Sequence, residues 1–330
     1  MTTTPAVVWK KASAAVFGEV DVPDPAPGEV LVDVAYSLVS PGTEREWLSS
    51  DQSHVVLGTS FPFVPGYSLA GVVAAVGSEV SEFRIGDRVV GSPLIGAHAA
   101  RAVVSKTLVF RVPDSVPLSR AVFFNLGMTA AHTISVSGLR LGNSVTIVGQ
   151  GPIGSFATQI ASAVGAYPII AFEIDETRRK NALTVGATHA FDPSDDADLA
   201  KFSAITGGGT EFVIDLSGSI HGPSTAIRAA AQLGTVALST GKNVDLEIPY
   251  GVVMINGLTL IGCFVNARMA QNKIDTVNFL RLVADGSVQT PDVRAEIFRP
   301  EQADSVYRTI LDNPRELTAP IFEWDPMIGA

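Results

Sequence analysis

Six residues, Gly149-Gln150-Gly151-Pro152-Ile153-Gly154, have the types and spacing to hold a diphosphate. A Gly-x-Gly-x-x-Gly run does this with main chain rather than side chains. The first glycine permits a tight turn, the second lets an anion approach the backbone, and the third lets the following helix pack on the preceding strand. N–H groups at the helix start lack intrahelical partners and, with the positive end of the helix dipole, favour negative charge. Chance produces such spacings, so the flanks decide. The apolar run Val145–Val148 leads directly into Gly149, and a helix-patterned segment from Ile153 to Val164 leads out. The plainer reading is a glycine-rich turn with no ligand. Glu173 stands 19 residues after Gly154, at the end of a second apolar run, where an acidic side chain binds the adenosine ribose hydroxyls of a dinucleotide. A 2′-phosphate there would face a carboxylate. At about 4 Å and an effective dielectric near 20, that repulsion is about 4 kcal/mol. NAD is therefore expected over NADP, with Arg178 and Arg179 as the residues able to reach a phosphate.

The surrounding pattern says what positions this turn. From Ser144, strands and helices alternate: strand 144–148, helix 153–164, strand 168–172, helix 177–185, strand 212–216, helix 224–233 and strand 235–239. Such alternation builds a parallel sheet with helices on both faces, the doubly wound Rossmann arrangement. The first ~120 residues read differently, as short β-runs punctuated by Gly and Pro, such as 29–36 and 70–77, the texture of a small β-barrel. A helix is expected over 120–136, with His132 as a core or domain-interface histidine. The segment from Asn266 must return to the first domain or extend the second.

Composition closes off other classes. Acidic residues outnumber basic ones 33 to 23, a net charge of −10, without the clustered basic face a nucleic-acid surface needs. Mean hydropathy is +0.30, yet runs such as Leu69–Val76 stop far short of the ~20 residues that span a bilayer. No membrane partner is expected, and the N-terminal residues lack the pattern of a secretory signal, so a cytoplasmic protein is expected. The single cysteine, Cys263, permits neither an intrachain disulfide nor a thiolate zinc cluster.

Several motifs in order resemble the medium-chain dehydrogenase/reductase family. Val64-Pro65-Gly66-Tyr67-Ser68-Leu69-Ala70-Gly71-Val72-Val73 resembles its P-G-H-E-x-x-G-x-V segment. Val76-Gly77-Ser78-Glu79-Val80 with Phe83-Arg84-Ile85-Gly86-Asp87-Arg88-Val89 resembles its V-G-x-x-V…F-x-x-G-D-R-V. The resemblance implies an α/β protein. A GroES-like β-barrel catalytic domain would span 1–122, completed by 267–330, and a Rossmann NAD-binding domain would span 123–266. It further implies that Ser239 and Thr240, with Cys263 and Val265, meet the nicotinamide end, while Gly149, Gly151, Pro152, Ile153, Gly154, Glu173 and Arg178 hold the rest of the dinucleotide. Ser40-Pro41-Gly42-Thr43-Glu44 is most similar to the bacteriochlorophyllide a dehydrogenase branch, although Ser68 stands where that branch has Glu. A homodimer is implied, with Leu258–Ile261 as a pairing edge.

The resemblance breaks at the metal. The family's catalytic zinc ligands fall here on Ser40, Tyr67-Ser68 and Asn125, none a good zinc ligand, and the four-cysteine structural loop is missing between Gly91 and Ala102. No zinc is expected, and His54 and His98 are read as surface or hydrogen-bonded residues. Hydrogen-bond donors and a proton acceptor must then take over the charge developing on a substrate oxygen. Tyr67 is the first candidate; its ordinary pKa of about 10 suits a donor better than a base. Ser40, Thr43 and Asn125 line the same space, and Glu44 would accept the proton at the end of a relay. Each has a plainer reading: Tyr67 as a packed aromatic, Ser40 and Thr43 as turn hydroxyls, Asn125 as a helix cap. The expected function is a zinc-independent, NAD-dependent dehydrogenase interconverting a secondary alcohol (a sugar, cyclitol or hydroxyethyl-bearing intermediate) and its ketone. A quinone or enone reductase and a non-catalytic dinucleotide-binding protein are the alternatives.

Overall fold

The computed structural model describes residues 2–11, 13–48, 61–239, 245–291, 296–313 and 316–325. The chain divides into two compact units, 1–125 with 290–330, and 126–289.

The first unit opens with an antiparallel hairpin of β1 (Thr2–Lys11) and β2 (Ala14–Val22). The long strand β3 (Glu29–Leu38) follows, then helix α1 (Pro41–Leu48), β4 (Leu69–Val76), β5 (Arg88–Gly91), β6 (Arg101–Ser105), β7 (Val109–Arg111) and the short helix α2 (Leu118–Ala121). β3 organises the sheet. Its first half lies between β4 and β6, and its end pairs with a strand from the C-terminal segment. Register shifts at Leu31/Val32 and Val34/Tyr36 bend it, as bulges do, so the sheet curls over Val30, Val32, Val34, Leu69, Val73, Val89 and Val104. This is the GroES-like part of the expected fold.

The second unit begins in helix α3 (Phe124–Ser137). The single helix expected over 120–136 is broken: α2 ends at Ala121, and Val122-Phe123 form a turn before α3. Next come β8 (Val145–Val148), α4 (Pro152–Val164), β9 (Ile169–Phe172), α5 (Glu176–Thr184), β10 (His189–Phe191), α6 (Asp196–Thr206), β11 (Thr210–Asp215), α7 (Gly222–Ala229), β12 (Ala230–Leu238), α8 (Tyr250–Asn256), β13 (Thr259–Gly262) and α9 (Met269–Ala284). The sheet runs β10-β9-β8-β11-β12-β13, every pairing parallel, so the chain reverses direction across the sheet beside β8, the Rossmann order. β8 and β9 are buried throughout, which is why they read as unbroken apolar runs. Pro152 starts α4 where a missing N–H costs nothing. Gly165 closes it in the left-handed region at φ 83°. The helix expected over 224–233 stops at Ala229, because Ala230 already enters β12.

α9 belongs with this unit, so the expected assignment of 267–330 to the first domain holds only from Thr290. The reason is packing. Phe279 sits so close to α3 that a Cβ on Gly127 would meet its ring at 2.0 Å. His132 Nδ1 lies 3.0 Å from Asp275 Oδ2, both fully buried, making His132 a core residue. The chain then returns to the first unit as β14 (Ile297–Phe298), α10 (Ala303–Asp312) and β15 (Ile321–Glu323), which pairs with β3.

Candidate functional site

The dinucleotide turn is built by its glycines. Gly149 has φ +88°, and a Cβ there would meet Ser217 Cα at 2.5 Å; a Cβ on Gly154 would meet the Gly149 carbonyl at 1.9 Å. Both are required by the protein's own backbone. Gly151 differs: a Cβ there meets nothing within 4 Å. It stands at the cap of α4, where free N–H groups favour an anion. An open cradle at the central glycine, between two glycines held by packing, fits a diphosphate.

Glu173 follows β9 and is 8% exposed. Its Oε2 accepts the Gln150 N–H at 2.8 Å and its Oε1 the Asp175 N–H at 3.1 Å. A carboxylate accepts about four hydrogen bonds, so each oxygen keeps capacity for a ribose hydroxyl while the turn holds the group in place. Arg179 is engaged, its guanidinium 2.7 Å from the Glu173 carbonyl and 3.3 Å from Asp192. Arg178 donates its backbone N–H to Asp175, the cap of α5.

At the same carboxyl edge of the sheet, after β12 and β13, Ser239 Oγ donates to the Cys263 carbonyl at 3.5 Å. The Val265 carbonyl accepts from Asn272 Nδ2 at 2.6 Å. Cys263 is buried, and burial pushes its thiol up to about 11, which leaves it as packing rather than a nucleophile. Thr240 lies outside the described residues.

In the first unit, Ser40, Thr43 and Tyr67 are brought together across distant sequence. Ser40 ends the turn after β3, and Pro41 begins α1. Thr43 Oγ1 receives the Tyr67 hydroxyl at 3.3 Å and the Ser40 hydroxyl at 3.4 Å. Burial raises the Tyr67 pKa above 10.0, opposed by the hydrogen bonds to Ser40 and Thr43. Tyr67 is thus a donor, not a base. Asn125 donates to the Tyr67 carbonyl at 3.2 Å and to Ser92 Oγ at 2.8 Å, so it braces this turn rather than merely capping a helix. Ser68 donates to the Val122 carbonyl at 2.8 Å.

Glu44 departs from expectation. It is 0% exposed, and its carboxylate accepts the Ser40 N–H at 3.0 Å and the Tyr307 hydroxyl at 2.6 Å, with His98 Nε2 at 3.2 Å. Its recorded bond to Ser40 is through the backbone, not the hydroxyl, so it is not the last member of the hydroxyl chain. His98 is also 0% exposed and bonded to Ser37 and Glu44, the hydrogen-bonded one of its two expected readings, while His54 lies outside the described residues. Sequence reading missed Tyr307 altogether. It is 263 positions from Glu44, and no local signal joins them.

The donors at the four expected ligand positions are two serine hydroxyls, a phenol and an amide nitrogen, which do not fit zinc. Among the described residues, no group of three or more His, Cys, Asp or Glu side chains is placed to hold a metal.

Residues 26–114 match the alcohol dehydrogenase GroES-like domain, and residues 152–284 match the zinc-binding dehydrogenase family. An L-threonine 3-dehydrogenase of Pyrococcus abyssi is 30% identical over 285 residues, covering 77% of this chain and 80% of the relative. A sorbitol dehydrogenase of Bacillus subtilis is 25% identical over 287 residues, covering 77% and 79%. The structure of galactitol-1-phosphate dehydrogenase from Escherichia coli has the same fold, with a TM-score of 0.85 at 20% identity, covering 97% of this chain and 99% of that one. The chain belongs to the medium-chain dehydrogenase/reductase family. It is an oxidoreductase of the alcohol dehydrogenase type, and the reading as a non-catalytic binding protein is set aside. Among the described residues, no helix is long and apolar enough to cross a membrane.

Proposed function

We propose that this enzyme interconverts a secondary alcohol and its ketone with NAD as hydride carrier and without zinc. The observation that carries the reading is the hydroxyl cluster in which Thr43 joins Ser40 and Tyr67, two of the positions where the family's metal ligands fall. The dinucleotide, when bound, supplies the two-electron redox step. The chain's residues do the rest. Main-chain N–H groups of Gly151 and Ile153 hold the diphosphate, and Glu173 accepts ribose hydroxyls and disfavours a 2′-phosphate. Ser239 and the carbonyls of Cys263 and Val265 line the nicotinamide end. In ketone reduction the Tyr67 hydroxyl turns its proton from Thr43 to the substrate oxygen, takes a replacement from Thr43, which takes one from Ser40, and Ser40 is reprotonated from solvent; alcohol oxidation runs the same transfers in reverse. A polyol, cyclitol or hydroxyethyl-bearing substrate fits this set, because neutral hydroxyl donors match neutral hydroxyl substrates. β13, the terminal strand of its sheet, supplies the edge of a cytoplasmic homodimer, and light scattering tests that assembly.

The deciding assay follows NADH absorbance with NAD or NADP and a panel of secondary alcohols including sorbitol and L-threonine, repeated with quinones and enones. Alcohol-dependent NAD reduction that survives chelator treatment, in protein carrying far less than one zinc per chain, is expected. Chelator-sensitive turnover restored by zinc overturns the metal-free reading. NADPH consumption with quinones or enones alone establishes the reductase instead.

A further inference from the structure

Two fully buried side chains, Glu44 and His98, have no part in the chemistry above, yet they sit between the two loops that carry it. The Glu44 carboxylate accepts the N–H of Ser40. The His98 ring lies flat against the other loop: a Cβ on Gly66, the residue before Tyr67, would meet three ring atoms at 2.7 Å. Gly66 has φ +84°, so glycine there serves both the turn and the ring. The backbone repeats the link, with Ala97 N–H donating to Gly66 O and His98 N–H to Pro65 O.

The ring's orientation follows from hydrogen-bond logic. The Trp324 indole can only donate, and it lies 2.8 Å from Ser37 Oγ. That oxygen accepts from Trp324 and shares a hydrogen bond with His98 Nδ1 at 2.7 Å. Nε2 faces the oxygens of Glu44, and a carboxylate only accepts, so Nε2 carries a proton and donates to Glu44. Tyr307, from α10, donates to the same carboxylate. All these groups lie in the first unit.

We propose that Glu44 and His98 are positioning residues that clamp the Ser40–Thr43 turn against the Gly66–Tyr67 turn, holding the three hydroxyls within reach of one another. A buried, fully donor-satisfied carboxylate does here by side-chain cross-linking what a shared metal does for ligands from separate loops. The inference rests on the reading that those hydroxyls carry the chemistry, and the test separates the two.

Glu44→Gln keeps the shape and removes an acceptor. With the best alcohol of the panel, its kcat is expected to fall about tenfold relative to the intact enzyme, as loss of a preorganised donor set does. Its Kd for NADH and its thermal midpoint of cofactor release are expected to stay unchanged. In a Tyr67→Phe background the same substitution is expected to cost less than about twofold, because coupled residues are not additive. A tenfold loss that persists in that background overturns the clamp, as does full kcat in Glu44→Gln. Unchanged turnover in Tyr67→Phe alone overturns the underlying reading instead. If Glu44→Gln fails to fold, Tyr307→Phe, which removes one hydroxyl, is put through the same pair of backgrounds with the same expectation. Nitrogen NMR of labelled histidine gives a readout free of substrate: a proton is expected on His98 Nε2, and an Nε2 that carries none overturns the link to Glu44.

Discussion

The glycine turn at 149–154 and the hydroxyl cluster both hold hydrogen-bond donors in place, by opposite means. The turn uses main chain from one continuous stretch, Val145 to Val164, and its geometry is enforced by close backbone approaches, of Gly154 to Gly149 within the stretch and of Gly149 to Ser217 after β11. The cluster uses side chains from α1, the loop before β4 and the start of α3, held by Asn125, Glu44 and His98. The comparison teaches that the backbone site is fixed by close approaches at its glycine hinges, whereas the side-chain site is fixed by hydrogen bonds from residues distant in sequence.

The sharpest way to break that contrast lies in the glycines themselves. Gly154→Ala should destabilise the protein by about 4 kcal/mol or more, since its Cβ must displace a carbonyl. Gly151→Ala should stay within about 1 kcal/mol of the parent yet lose NADH affinity at least tenfold, because its methyl group fills the cradle. Urea unfolding and NADH fluorescence titration measure the two. Equal destabilisation by both would erase the distinction between a packing glycine and a binding glycine.

On the side-chain half, Tyr67→Phe should lower kcat about a hundredfold, the usual loss of one oxyanion-type donor. Stability should barely move, since only a hydroxyl is removed. Steady-state kinetics beside a thermal melt tests this, and parent-like turnover would return Tyr67 to the packed-aromatic reading. Smaller in effect is cofactor choice. Glu173→Ser should narrow the preference for NAD over NADP by about tenfold in kcat/KM, a part of the repulsion between a carboxylate and a 2′-phosphate. An enzyme that already prefers NADP before the change would refute the role of Glu173.

Two titrations sharpen the comparison further. Burial raises the pKa of Tyr67, and raises that of Tyr307 well above 10.0. A group whose folded pKa is raised stabilises the fold below its unfolded value and loses that contribution as pH climbs towards the folded one. The melting temperature should therefore fall from about pH 10 upwards, and Tyr307→Phe should flatten that fall. Smallest of all, Cys263, pushed up to about 11 by burial, should react with a disulfide reagent at pH 8 about a hundredfold more slowly than free cysteine. Rapid labelling would place the thiol in an open, charged setting.

The parts of the fold that could be read from residue order share one property: their determinants are local. Gly149 to Gly154, the apolar run of β8 and the 19-residue step to Glu173 all lie within one strand–turn–helix–strand unit, so spacing alone exposes them. Helix ends were harder. Ala230 and Leu233 suit a helix by type, but Ala230 pairs with Thr210 of β11, and Leu233 takes φ +61°, outside helical geometry. The ends of the domains were harder still, because α9 is placed by Phe279 against Gly127 and by Asp275 against His132, contacts spanning more than a hundred positions.

The hydroxyl cluster divides along the same line. Residue types at Ser40, Tyr67, Ser68 and Asn125 were enough to raise the expectation of a site without zinc, since side-chain chemistry is carried by the residue itself. Where the hydroxyls stand is another matter. That Thr43 lies between Ser40 and Tyr67, that Glu44 turns inward, and that His98, Tyr307 and Trp324 close round it came only with the folded chain. Those partners meet through the pairing of β15 with β3 and the packing of α10, and burial of apolar surface, blind to the order of residues along the chain, is what brings them together.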